Sequence, residues 1–145
     1  MSELLFTRTV DAPPDLVFAC LTDPEHLTAF WGPTGTSTPR DTIVADPRPG
    51  GAFETVIVSD ADGSSYTMRA VYDVVAPPHR LAWTDAGSGM RTEITFDDLG
   101  DGRTGVRIHQ TDVPERALDP DAQAGFLSSL DRFDVHLATL TRRTP

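Results

Sequence analysis

Cysteine and histidine are the side chains of this chain best suited to bind a transition metal, or to supply a nucleophile and its base. Cys20 lies on the apolar side of a predicted short helix, where a free cysteine usually acts as a small apolar filler. His26, His79 and His136 fall in a short helix, a turn and the flank of the last helix, and none has a metal-ligand spacing with Cys20 or a carboxylate. Because a nucleophilic cysteine needs a neighbouring base and the sequence places none beside Cys20, we predict no catalytic residue and no metal site.

Carboxylates are the next candidates, since a positioned carboxylate can move a proton. Glu54 and Glu93 lie in predicted strands, but alternation points each to the side opposite its apolar neighbours. Gly50 and Gly51 predict a turn rather than a phosphate cradle, because no helix follows them. Most other acidic residues fall in turns, where solvation accounts for them: Asp60, Asp62, Asp97, Asp98, Asp101, Asp119 and Asp121. We therefore expect no cofactor, although a slipped strand register would turn such groups inward.

Turn residues divide the chain into the elements that must position any site. Residues 4–10 alternate as a strand, and two short helices follow before Trp31. Between Ser37 and about Asp112, five turn signals delimit six strands in series, and connections this short favour antiparallel neighbours. From Pro120 onward, apolar side chains recur at i, i+4, i+7 and i+11, which predicts an amphipathic helix of about five turns. The predicted class is α+β, a curved antiparallel sheet of about seven strands that grips a long C-terminal helix.

Composition sets the broad class of the protein. With 39% hydrophobic and 23% charged residues, a chain of 145 residues suits one globular domain spanning 1–145. A formal charge of −10 repels phosphate backbones and anionic lipid, so we expect neither nucleic acid nor membrane as a partner. One cysteine forms no internal disulfide, and the sequence shows neither a secretory leader nor a membrane-length apolar run, so we expect a cytoplasmic protein. The sequence does not separate a monomer from a homodimer.

Short strings along nearly the whole chain resemble one known family. They are VDAP at 10–13, TDPEHL at 22–27, FWGP at 30–33, PGGAF at 49–53 and VAPPHRL at 75–81. In this order they resemble the activator-of-heat-shock-protein-90-ATPase-like family of the START/Bet v 1-like (SRPBCC) superfamily. The resemblance implies the helix-grip fold. Because this superfamily includes ligand carriers, sensors, cyclases and co-chaperones, the fold does not assign a function by itself. Phe126 departs from the family, which usually has a tryptophan there.

A helix laid across a strongly bent sheet cannot fill the whole concavity, so we predict a cavity between them. Strand alternation turns every second residue from Tyr66 to Val74 inward, and His109 outward. The predicted cavity wall comprises Trp31, Phe53, Tyr66, Met68, Tyr72, Trp83, Met90, Gln110, Phe126, Leu130 and Phe133. Two interpretations stay open, because such residues either contact a ligand or only pack the core. Gln110 likewise either orients a ligand by a hydrogen bond or ends the sheet near solvent.

Three functions compete on these observations. The first is the binding of a small hydrophobic or aromatic molecule in the cavity. The alternative is a cyclase- or hydrolase-type enzyme that uses the same cavity, which requires a buried titratable group with a shifted pKa. The third is a stress- or chaperone-related protein-interaction module, which requires an exposed apolar patch. We favour the first, because the inward set is rich in aromatic side chains and poor in ionisable ones.

Overall fold

A computed structural model describes residues 2–141 of the chain. The strands are β1 (Glu3–Val10), β2 (Thr36–Ser37), β3 (Val44–Ala45), β4 (Ala52–Ser59), β5 (Ser65–Ala76), β6 (Arg80–Asp85), β7 (Arg91–Gly100) and β8 (Arg103–Thr111). The helices are α1 (Pro14–Thr22), α2 (Pro24–Phe30) and α3 (Pro120–Thr141). This order confirms the predicted α+β class, with a curved antiparallel sheet, two short helices after the first strand and a long last helix.

The sheet runs in the order β1-β8-β7-β6-β5-β4-β2, and β3 also pairs with β4. Strands β4 to β8 form successive antiparallel hairpins, as the turn signals predicted. The first strand pairs with the last, so that Glu3 faces Thr111 and Val10 faces Thr104. This pairing brings the N-terminal strand and the residues just before α3 to the same edge of the sheet.

The predicted strand between Ser37 and the turn at Gly50 is replaced by the two dipeptide strands β2 and β3, with a short 3-10 turn at Arg40–Thr42 between them. Residues 2–141 therefore contain eight strands rather than about seven. Two side chains tie this segment to α2: the Thr38 hydroxyl donates to the Trp31 carbonyl at 2.8 Å, and the Thr28 hydroxyl donates to the Thr38 carbonyl at 2.7 Å. Pro39 lacks an N–H, which also ends strand pairing there.

A register shift in β5 corrects one predicted side-chain direction. The ladder with β6 is irregular between Tyr72 and Val74, so that Val75 rather than Val74 lies opposite the fully buried Leu81. Val75 packs against the core as a result. An extra residue in one strand reverses alternation beyond it, and the sequence pattern carries no sign of that insertion.

Helix α3 lies against the inner face of the sheet and buries Leu130, Phe133 and Leu137. With 22 residues it makes about six turns, one more than predicted. Arg132 donates to the carbonyls of Gly32 and Pro33 at 2.8 and 3.0 Å, which fixes the loop after α2 against α3. None of the helices in residues 2–141 combines the length and the apolar character that a membrane span requires.

Candidate functional site

A cavity of about 190 Å³ lies between the inner face of the sheet and helices α2 and α3. Strands β1 and β5 to β8 supply its floor, and α3 supplies its roof. Its lining residues are Arg8, Val10, Leu21, Phe30, Trp31, Met68, Trp83, Met90, Thr92, Ile94, Val106, Ile108, Gln110, Phe126, Ser129, Leu130 and Phe133. Apolar side chains dominate this lining, as in most small-molecule sites.

Eight of the eleven residues predicted for the cavity wall line this cavity: Trp31, Met68, Trp83, Met90, Gln110, Phe126, Leu130 and Phe133. They come from four different elements and two loops, and the folded sheet and α3 bring them together. Phe53, Tyr66 and Tyr72 lie elsewhere. Whether the eight contact a ligand stays a prediction.

Tyr66 is 53% exposed and lies at the end of the β4–β5 hairpin, opposite Ile57. Its alternation matches that of Met68, but α3 does not cover this end of the sheet. Alternation assigns a residue to a face, whereas the position of the covering helix decides whether that face is buried there. The placement of Tyr66 in the cavity wall was therefore wrong.

Phe53 and Tyr72 are fully buried behind the cavity wall rather than in it. Their rings stack at a centroid distance of 5.3 Å, and Phe53 meets the edges of Trp31 at 5.3 Å and Trp83 at 5.0 Å. Within residues 2–141 the Tyr72 hydroxyl has no hydrogen-bond partner, and its burial, with the nearby Asp46 carboxylate, raises the pKa of Tyr72. Phe53 thus packs against both wall tryptophans, and Tyr72 packs against Phe53.

Several lining residues were not predicted from the sequence, and Arg8 has the most distinct chemistry among them. Its Nη1 donates to carboxylate oxygens of Asp131 and Asp134 on α3, both at 2.8 Å. It thus joins β1 to α3 at the wall of the cavity, and two carboxylates surround its charge. Alternation in β1 places Arg8 on the same side as the buried Val10, so a signal for its inward position was present in the sequence.

We expect Arg8→Leu to lower the free energy of unfolding by about 1 kcal/mol, because two partly exposed ion pairs are lost while apolar packing is kept. The loss should shrink in 1 M salt, where screening weakens such pairs. Urea denaturation at low and high salt measures both effects. Arg107→Leu, which removes an exposed arginine from the neighbouring strand β8, is the matched control. An equal, salt-independent loss in both variants would contradict the bridging role of Arg8.

Polar groups are few in the lining. Gln110 is buried, and its Nε2 donates to the Thr92 hydroxyl at 3.3 Å, which leaves its second N–H for another acceptor. The Trp31 indole N–H donates to the buried Thr55 hydroxyl at 3.1 Å, so it is not directed at a ligand. Outside the cavity, His109 forms a hydrogen bond with Glu3, and Glu93 forms an ion pair with Arg80. Both contacts are in keeping with the outward positions predicted for His109 and Glu93.

Cys20, His26 and His136 converge between the three helices, which the sequence spacing gave no reason to expect. Nδ1 of His26 and Nε2 of His136 are 3.0 Å apart, and one ring nitrogen of each histidine lies within 4.8 Å of the Cys20 sulfur. Two bases thus lie beside the cysteine, contrary to our prediction. Burial, helped by the Asp23 carboxylate, raises the pKa of the Cys20 thiol to about 12, so the thiol is not set up as a nucleophile.

Comparison with known proteins places the chain in one family and one fold. The family model described as "Activator of Hsp90 ATPase homolog 1-like protein" matches residues 11–138. A crystal structure of a protein from Chromobacterium violaceum is similar at a TM-score of 0.85 and 25% identity, over 93% of this chain and 96% of that one. Comparison with curated proteins finds no match.

Two further solved structures share the fold. A protein from Nitrosomonas europaea has a TM-score of 0.84 at 24% identity, with 97% of each chain covered. The AHSA1-like protein from Aeromonas hydrophila has a TM-score of 0.83 at 17% identity, over 99% of this chain and 97% of that one. At these identities the likeness supports the architecture rather than any ligand.

Proposed function

This chain belongs to the Activator of Hsp90 ATPase homolog 1-like family, and from that premise we propose that it binds a small, uncharged, apolar molecule in the cavity beneath α3. The observation that carries the proposal is the apolar lining of the cavity between sheet and helix. Burial of an apolar ligand in such a lining removes its surface from water, which supplies the free energy of binding. Met68 and Met90 add flexible, polarizable wall that can adapt to a ligand's shape.

The size of the cavity limits the ligand. A buried apolar cavity of roughly 150 Å³ is large enough for benzene. The cavity here, at about 190 Å³, therefore suits a molecule of one ring or two fused rings, or a short branched chain. Steroid-sized ligands would require α3 to move away from the sheet.

The charges around the cavity support a neutral ligand. Arg8 is the only lining residue, within the described chain, that carries a formal charge, and Asp131 and Asp134 already compensate it. A carboxylate ligand would lose its hydration in the cavity without gaining a free cation as a partner. Its binding would therefore cost several kcal/mol or shift the pKa of the ligand. The same lining offers no carboxylate, imidazole or thiol for proton transfer, which favours binding over the cyclase or hydrolase alternative.

The test compares neutral ligands with acids of the same shape. Calorimetric titration of the purified protein with indole or naphthalene, and with the corresponding naphthoate, should give at least about tenfold tighter binding of the neutral compound. Native mass spectrometry of protein purified from its own host should show a bound small molecule of similar size. An empty protein that also binds none of these compounds would overturn the proposal.

Gln110 supplies a more specific expectation. Gln110→Leu removes a buried polar group from the lining and should weaken binding of a ligand that carries a hydrogen-bond acceptor by about tenfold. Binding of a plain hydrocarbon such as naphthalene should be unchanged or slightly stronger. Parallel titrations of the two ligand classes measure this difference, and equal effects on both would mean that Gln110 acts only in packing.

A further inference from the structure

A separate cluster of side chains outside the cavity has the composition of a metal site. We propose that Cys20, His26 and His136 bind one Zn²⁺ ion between the three helices. One ligand comes from each helix, since Cys20 lies near the end of α1, His26 in α2 and His136 in α3. A bound ion would therefore crosslink elements that lie 110 residues apart in sequence.

The donor geometry is close to what zinc requires. In a tetrahedral site with usual bond lengths, two imidazole nitrogens lie about 3.3 Å apart and a sulfur and a nitrogen about 3.6 Å apart. Here the two facing nitrogens are 3.0 Å apart, and the sulfur lies within 4.8 Å of one ring nitrogen of each histidine. Rotamer adjustments of about 1 Å would bring all three donors to bonding distance of one ion.

The donor chemistry selects the type of metal. One thiolate and two imidazoles are soft or borderline ligands, which suit Zn²⁺ and exclude Ca²⁺ and Mg²⁺ as preferred occupants. Zinc displaces the thiol proton to solvent, and the imidazole that donates the hydrogen bond between the two rings carries its proton on its other nitrogen once its facing nitrogen binds the ion. Three protein ligands leave a fourth position, and because both histidines are half-buried, water can reach it from their side.

The site is distinct from the cavity, although the two are neighbours. The Phe30 ring stacks on His136 at a centroid distance of 5.7 Å and also contributes to the cavity lining. Phe30 thus separates the metal donors from the space beneath α3. Metal binding and ligand binding can therefore be measured independently.

The experiment titrates tag-free, chelator-treated protein with Zn²⁺ in competition with a chromophoric chelator, and with Co²⁺ as a spectroscopic substitute. We expect one equivalent of zinc, a higher unfolding temperature with zinc, and a thiolate-to-cobalt charge-transfer band. Cys20→Ala should abolish that band. Cys20→Ala and His136→Gln should each weaken zinc binding by more than about 100-fold, since loss of even an outer-shell partner costs 10- to 100-fold.

His79→Ala is the matched control, because it removes a histidine from the turn before β6, outside the cluster. It should bind zinc and cobalt as the wild type does. His136→Gln keeps the test valid if Cys20→Ala fails to fold, since His136 is only half-buried. Absence of saturable zinc binding in the wild type, absence of the charge-transfer band, or equal weakening by His79→Ala would each overturn the proposal.

Discussion

Phe53→Ala is expected to lower the free energy of unfolding by about 3–5 kcal/mol, as other buried phenylalanine truncations do. For a chain of this length, that loss corresponds to a fall in melting temperature of roughly 10–20 °C. Phe53 is fully buried and touches the rings of Trp31, Tyr72 and Trp83, so its removal leaves a void with several aromatic faces around it. These rings interlock, and the site has little freedom to collapse around the smaller side chain.

Urea and thermal denaturation of Phe53→Ala, compared with Tyr66→Ala, provide the measurement. The sequence assigned both aromatic residues to the same inner wall, whereas the structure buries Phe53 and exposes half of Tyr66. Tyr66→Ala should therefore change the free energy of unfolding by only about 0.5 kcal/mol, as surface substitutions do. A similar loss in both variants would mean that α3 covers the end of the sheet at Tyr66 in solution.

Leu130→Trp is expected to weaken binding of naphthalene or indole by about 30-fold or more, the equivalent of roughly 2 kcal/mol. Leu130 lies on α3 and faces the cavity, so an indole in its place would occupy the space proposed for the ligand. Because the added atoms enter an existing void, the loss of stability should stay below the ~1–3 kcal/mol typical of overpacked cores. Loss of binding with the fold retained is the expected signature.

Leu127→Trp is the matched control for that experiment. It makes the same substitution on the same helix, but at a residue that is 42% exposed and does not line the cavity. Titration of both variants with the same ligand, with circular dichroism to verify folding, separates filling of the cavity from a general effect on α3. If Leu130→Trp binds as tightly as Leu127→Trp, the ligand site lies outside the cavity.

Most of the residues that the sequence assigned to the cavity wall do line the cavity, because local patterns carry that information. Met68 and Trp83 were assigned inward by alternation, and Leu130 and Phe133 by helical spacing, and all four line the cavity. Arg8 follows the same alternation but was not predicted to line the cavity. A charged side chain beside an apolar lining needs compensating charges, and only the structure shows that Asp131 and Asp134 on α3 supply them.

The amino-acid sequence by itself determined the order of the main elements, the inner and outer faces along most of the long strands, and the family. The elements and their faces depend on neighbours two to four residues apart, and the family on short strings in a given order, and both are readable along the chain. Only the tertiary structure decided that Val75 replaces Val74 on the inner face and that Tyr66 lies beyond the cover of α3.

The convergence of Cys20, His26 and His136 was likewise decided only by the tertiary structure. Such contacts depend on how α3 docks across the sheet and against α1 and α2, through packing between residues more than 100 positions apart. No local spacing encodes that docking, because packing of whole elements against one another, rather than the periodicity of any one of them, sets which side chains meet.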